Sequence, residues 1–307
     1  MEDSRKIQEV SSTAVHPRQW LTAYFRTRAH LASSESDFHC DPACTRPGCR
    51  NQNLQIPVSI VDLVEAAMHQ DGSVSANYQR NYSLGLFADE RNDWIRKVSL
   101  RLKKPCPFLE NDLCSIYPVR PLACVLFPEY LVCEGKFQVE ARKKHFRDFL
   151  CMQSPILLSP KRAEILARLK KMWQRETLIS SFYLFNHSQC YIDYSNLTKE
   201  LLLADKTLND TESKGRPEPR ATIPNQVMEH FFQTRMAQCQ PFDGVRTKIS
   251  RLNNQEGQRQ FLQLLQDDGL MKQLLRSGDD RALIFRFIRG KLKGKRRSLI
   301  PGEYKFS

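Results

Sequence analysis

The chain has 307 residues, 41% of them hydrophobic and 26% charged, so it is long enough to bury a full core as one large or two modest domains. No apolar run approaches the ~20 residues that span a bilayer, and Met1-Glu2-Asp3-Ser4-Arg5 offers no apolar signal region, so the expectation is a cytoplasmic protein with no transmembrane segment. The net charge of +13 favours acidic partners, an acidic protein among them, without choosing between protein, nucleic acid and a membrane surface. Nucleic acid is compatible with that charge, but no helix-turn-helix, finger or RNA-binding pattern accompanies it.

In chain order, residues 1–16 are polar and expected to be disordered. Pro17 then opens an amphipathic stretch with Trp20, Leu21, Tyr24 and Phe25 at helical spacing, which predicts a helix to Leu31. The segment Phe38-His39-Cys40-Asp41-Pro42-Ala43-Cys44-Thr45-Arg46-Pro47-Gly48-Cys49 follows, a C-x3-C-x4-C run. Its proline and glycine prevent a regular helix or strand throughout, and such loops let thiols converge on one point. Ser59 and Asp62 form a capping-box variant ahead of Ile60, Leu63, Val64, Ala67 and Met68, a helix ending near Asp71-Gly72. A second, less regular helix is expected over Ala76 to Phe87, then a strand from Lys97 to Leu102.

The stretch Lys104 to Pro128, KPCPFLENDLCSIYPVRPLACVLFP, organises the rest. Pro105 and Pro107 hold Cys106 on stiff, extended backbone. Glu110-Asn111-Asp112 reads as the polar turn of a short hairpin that brings Cys106 and Cys114 to neighbouring positions. Pro121 starts a short helix that Pro128 stops, which puts Cys124 in the first turn, where the helix dipole favours a thiolate. The Cys114–Tyr117 segment, with Tyr130–Cys133 and Phe137–Val139, is expected to complete a small antiparallel sheet around the cysteines. Without a signal sequence, ten cysteines read as reduced thiols or ligands rather than disulfides.

Cys106-Pro107-Phe108-Leu109, Cys114-Ser115-Ile116-Tyr117, Arg120-Pro121, Cys124 and Phe127-Pro128, behind a cysteine-rich loop, resemble the YkgJ-type cysteine-cluster family of zinc- or iron-chelating proteins. Gly48 stands where that family has the first of two adjacent cysteines. The resemblance spans about residues 38–151 and implies a metal centre with Cys40, Cys44, Cys49, Cys106, Cys114, Cys124 and Cys151 as candidate ligands. Tyr117 and Arg120 would lie behind those ligands, the guanidinium hydrogen-bonding nearby carbonyls or a carboxylate and offsetting thiolate charge. Relatives of the family include flagellin lysine N-methylases, which implies a protein-modifying enzyme as one alternative.

Beyond Ser159 the pattern becomes helical: Pro160–Phe185, Leu197–Leu208, Pro224–Gln238, Gly244–Leu252, Glu256–Leu275 and Asp279–Gly290, with a polar linker over residues 209–222. Cys133 is a weaker ligand candidate, and Cys190 and Cys239 read as ordinary buried thiols. From Arg281 to Arg297 there are eight basic residues and no acidic one, read as a cationic tail. The expected fold is α+β and mostly α: a small antiparallel sheet and cysteine-rich loops in a metal-binding domain over 17–158, and an all-helical domain with a basic tail over 159–307. C-x7-C followed by C-x9-C forms no second zinc knuckle, which tips the cofactor towards an iron–sulfur cluster over zinc. The function read from these residues is a metal-centre protein, with an enzyme or a structural zinc module as alternatives.

Overall fold

The computed structural model describes residues 17–34, 43–89, 92–143, 146–153, 156–195, 225–236, 239–277, 282–288 and 291–297. Cys40, the disorder expected over residues 1–16, the helix expected at Leu197–Leu208 and the linker at 209–222 lie outside them. Helix α1 spans Pro17–Ala32 and α2 is a single turn, Pro47–Arg50. Helix α3 covers Ile60–His69. Ser59 caps it as the sequence suggests: its hydroxyl accepts the Asp62 N–H at 3.0 Å, and Asp62 Oδ2 accepts the Ser59 N–H at 2.7 Å.

Helix α4, Val74–Asn81, stops earlier than expected, and the chain turns into strand β1, Tyr82–Asp89. Tyr82, Leu84 and Leu86 are buried, a period of two that belongs to a strand and that the helical reading of Ala76–Phe87 overlooked. Strand β2, Asn92–Leu102, pairs antiparallel with β1 over its length and with β5, Cys190–Asp193, at Ile95–Lys97. Its expected partner segments do other things. Leu109–Glu110 (β3) and Leu113–Cys114 (β4) form a separate two-stranded hairpin. Glu129–Cys133 and Phe137–Ala141 are short helices, α6 and α7, after α5 at Leu122–Leu126. Helical coiling of α6 is what lets the buried Glu129 meet Arg162 in a forked pair, Nε to Oε1 at 3.0 Å and Nη2 to Oε2 at 2.5 Å.

Helix α8 spans Pro160–Phe185, with Ser159 as its N-cap and Asn186 in the left-handed conformation closing its C-terminus. It is followed by α9, Asn225–Phe231, continued by a π-helical turn at Phe232–Met236, and by α10, Gln240–Arg251. The single helix expected over Glu256–Leu275 is two, α11 at Gln255–Gln266 and α12 at Asp268–Ser277.

The α+β, mostly helical architecture stands, but the C-terminal half is not all-helical and the sheet is not wholly antiparallel. Strands β6, Ala282–Ile288, and β7, Lys291–Arg297, complete a mixed five-stranded sheet of order β1-β2-β5-β6-β7, in which only β5 and β6 run parallel. The near-continuous apolar run of β6, with Ala282, Ile284 and Phe285 buried, suits a central strand covered on both faces and carries no periodicity that would separate it from a buried helix. The basic run Lys291–Arg297 is therefore the edge strand of a sheet and not a free tail. Gly294 is needed there because a Cβ would sit 2.8 Å from the Phe285 ring. The main core draws on α3, β1, β2, α8, α10 and α11 together. No described helix is long and apolar enough to cross a membrane.

Candidate metal centre

Three chain segments bring thiols together. The first is α2, entered through Arg46 in the left-handed region (φ 56°) with Pro47 at its first position, a tight turn that presents Cys49. Its carbonyl accepts the Cys106 N–H at 2.8 Å, and Lys104 Nζ donates to the Gly48 carbonyl. The second is the hairpin β3–β4. Asn111 and Asp112 both have positive φ, 49° and 63°, as a two-residue turn between right-twisted strands requires. Leu109 pairs with Cys114, and the Leu109 N–H returns to the Cys106 carbonyl at 3.2 Å, so the turn does set Cys106 beside Cys114. Arg50 forms an ion pair with Asp112 at the hairpin tip and ties the first segment to the second.

The third segment is α5, capped by Pro121, with the Cys124 N–H bonded to the Pro121 carbonyl at 2.8 Å. Here the structure adds a residue whose role went beyond the sequence reading. Asp62, fully buried, accepts the Leu122 N–H at 3.1 Å through Oδ1 while its other oxygen completes the α3 cap. It thereby fastens the Cys124 helix to α3. The capping-box position was visible in the sequence; the second bond, 60 residues away, was not.

The thiols divide sharply in acidity. Cys49 donates its S–H to Cys106, and that hydrogen bond, followed by burial, holds the Cys49 thiol far above its usual range. The same bond, with further donation from the Phe108 and Leu109 backbone and the Lys104 charge opposing burial, brings Cys106 down to about 6. Within this pair the shared hydrogen bond favours ionisation at Cys106 over Cys49. Burial raises Cys114, and burial followed by the Cys106 charge pushes Cys124 up to about 12. The expectation that Cys124 would be the thiolate is corrected: one end of a five-residue helix does not outweigh desolvation. Burial in turn lowers the Lys104 ammonium from its ordinary range while the thiols draw it back up.

Arg120 stacks on the exposed Tyr117 ring, its guanidinium carbon 3.9 Å from the ring centroid, and donates to the Tyr117 carbonyl at 3.3 Å. Its charge reaches Cys114. Cys44 is half-buried in the loop before α2. Cys151 lies in a neighbouring cluster with Phe127, Phe146 and Phe149, whose Phe149 ring is 3.5 Å from where a Cβ of Gly48 would stand. Cys133 is exposed, and Cys190 is buried in β5.

Among the described residues no three Cys, His, Asp or Glu side chains stand in finished metal-ligand geometry. The donor set nevertheless suits a thiophilic metal: several thiols, with ionisation favoured at Cys106, beside an ammonium that offsets charge. An orphaned atom points the same way. The Tyr82 hydroxyl is buried without an acceptor among the described residues, and after burial it is the charges of Asp62, Cys124 and Cys106 that raise its pKa furthest. A further thiolate formed at that point would give it an acceptor.

The arrangement makes these cysteines candidate ligands of one site. Residues 39–151 match the family model CxxCxxCC, described as a "putative zinc- or iron-chelating domain". The match includes all three thiol-bearing segments and stops before α8. No curated protein and no solved structure matches the chain.

Proposed function

We propose that the protein holds a zinc or iron centre through Cys49, Cys106, Cys114 and Cys124, with Cys40, Cys44 and Cys151 as the residues that complete or exchange ligands. What supports this reading is that Cys49, Cys114 and Cys124, from three segments, each feel the charge of Cys106, inside the stretch that matches a chelating domain. An iron–sulfur cluster is preferred to zinc because the C-x7-C and C-x9-C spacings suit a larger object than a single tetrahedral ion. When bound, such a cluster supplies a one-electron couple, whereas zinc supplies a fixed cross-link.

The chain's own residues do the rest. Cys106 offers the first thiolate, Cys49 and Cys124 release protons as they bind, and Lys104 with Arg120 limits the accumulated negative charge. Free thiols at all nine described cysteines support a reducing, cytoplasmic setting, and the charge of +13 supports an acidic protein partner.

The test is anaerobic purification followed by metal and sulfide analysis and a visible spectrum. Iron with matching sulfide and a brown colour are expected, and Cys106→Ser should lose most of the metal while the apo-proteins melt within a few degrees of each other. Stoichiometric zinc without sulfide would replace the cluster with the zinc form. Protein free of both metals after anaerobic handling, and unable to take up either, would sink the proposal.

A further inference from the structure

The five-stranded sheet ends on β1 at one side and on β7 at the other, and its two edges differ. At β1 the outer side is occupied. The Leu100 carbonyl accepts the Val58 N–H at 3.0 Å, away from β1, so its partner Leu84 turns its own carbonyl outward. Gln233 takes that carbonyl at 2.6 Å. Along β7, no described strand pairs with the outer side.

The register tells which backbone groups face that side. The Leu283 N–H donates to the Gln189 carbonyl at 3.0 Å, towards β5. Leu283 therefore exchanges no backbone bonds with its β7 partner, Arg296. Every second residue shares this state, so Leu292, Gly294 and Arg296 turn their N–H and C=O groups outward, while Lys291, Lys293, Lys295 and Arg297 bond to β6. The outward groups recur roughly every 7 Å along the edge.

Five of the seven residues Lys291–Arg297 are basic and none is acidic. Lys291, Lys293, Lys295 and Arg297 fall on one face of the strand by its period of two. Such a row disfavours a second copy of the same strand, because like charges directly opposite are destabilising. It favours a strand with carboxylates at alternate positions. We propose that the outer edge of β7 binds an extended acidic segment of a partner protein as a sixth, antiparallel strand, its carboxylates opposite Lys293, Lys295 and Arg297. Backbone bonds at Leu292, Gly294 and Arg296 hold the segment, and the basic row selects it. This inference rests on the acidic protein partner proposed above and gives it a place on the fold.

The experiment is fluorescence anisotropy titration of the full chain at low salt with labelled seven-residue peptides: alternating glutamate and valine, the same peptide with proline at each valine, and alternating lysine and valine. The glutamate–valine peptide is expected to bind, with the lysine–valine peptide at background. The proline version should bind at least about tenfold more weakly, since it keeps the charge and loses backbone donors. Leu292→Pro removes one outward N–H without a β6 bond or a charge, and should weaken binding about fivefold. Lys293→Glu combined with Lys295→Glu should bring it to background, and melting curves confirm that each variant folds. Equal binding of the proline peptide, or no effect of Leu292→Pro, would overturn the inference and leave a purely charge-driven acidic partner standing; no acidic peptide bound at low salt would overturn both. A thymine oligonucleotide bound more tightly than the glutamate–valine peptide would make the run a nucleic-acid surface instead. Slow amide exchange at Leu292, Gly294 and Arg296 in the free chain would also sink the inference, because the edge would already be covered.

Discussion

The thiol cluster and the ion network beneath it handle buried reactive groups in opposite ways. In the network, one guanidinium meets three carboxylates: Arg28 pairs with Asp62 and Glu65, and its Nε reaches Glu176 at 3.3 Å. Tyr24 donates to Glu176 at 2.6 Å and Ser59 to its other oxygen at 3.0 Å. Nearly every lone pair has a donor from the protein itself, and the elements involved are long helices. In the thiol cluster the elements are single turns and two-residue strands, and a shared proton from Cys49 to Cys106 links two of the sulfurs. The network is complete without any ligand; the cluster, on the proposed reading, exchanges protons for one. Stability and the proposed binding thus fall to adjacent but different chemistry, with Asp62 touching both.

The largest expected effect tests the completeness of the network. Arg28→Met would leave three carboxylates in the core without their cation, and a loss of about 3–5 kcal/mol in denaturant unfolding is expected. A loss under about 1 kcal/mol would mean the carboxylates find water or protonate without strain, and the contrast with the thiols would fail.

A single guanidinium cannot neutralise three carboxylates, and the excess raises both Glu176 and Glu65. Burial first, then the Asp62 and Glu176 charges, raise the Glu65 pKa to about 8 against the pull of Arg28. The folded state then keeps a proton that the unfolded chain releases near its ordinary value of ~4.3, so stability is greatest below that pH and declines as pH rises towards 8. Glu65→Gln, which mimics the protonated form, should flatten this part of the curve of stability against pH. An unchanged slope would move the retained proton to another group.

The smallest effect sharpens the comparison from the thiol side. Arg120 and Tyr117 form an exposed stack, Tyr117 being 61% exposed, and Arg120→Ala should cost at most about 0.5–1 kcal/mol of apo-protein stability. Its effect should appear instead as weaker retention of metal under chelator challenge, because one of the positive charges near Cys114 is gone. Equal retention would confine Arg120 to the surface.

Local signals in the sequence located the local parts of this design. The proline-pinned Cys106, the Asn111-Asp112 turn, the Pro121 start of α5 and the Ser159-to-Phe185 helix each depend on residues within a few positions, and each is found where its residues predict. The sheet was not legible in the same way. Strand β5 is four residues, all buried, too short for a period, and β6 lacks alternation because both its faces are covered; both are strands through partners far away in sequence. The network was equally hidden. Arg28 reads as an ordinary charge near the end of α1, and its partner Glu176 is 148 residues distant. Acidity at the thiols could not be ranked from helix position alone either, since burial and a thiol–thiol hydrogen bond decide it.

Ser180 Oγ accepts the Ile60 N–H at 2.8 Å, beside the contact of Glu176 with Ser59. Both acceptors belong to α8, and Arg28 belongs to α1, so the lid and floor of the charge network come from outside residues 39–151 on either side. The stretch that matches the family model is therefore not a transplantable cassette. Excised at those limits and expressed alone, it would carry Asp62 and Glu65 without their counter-ion and the start of α3 without its acceptors, so the candidate ligands travel only with the helices that bracket them.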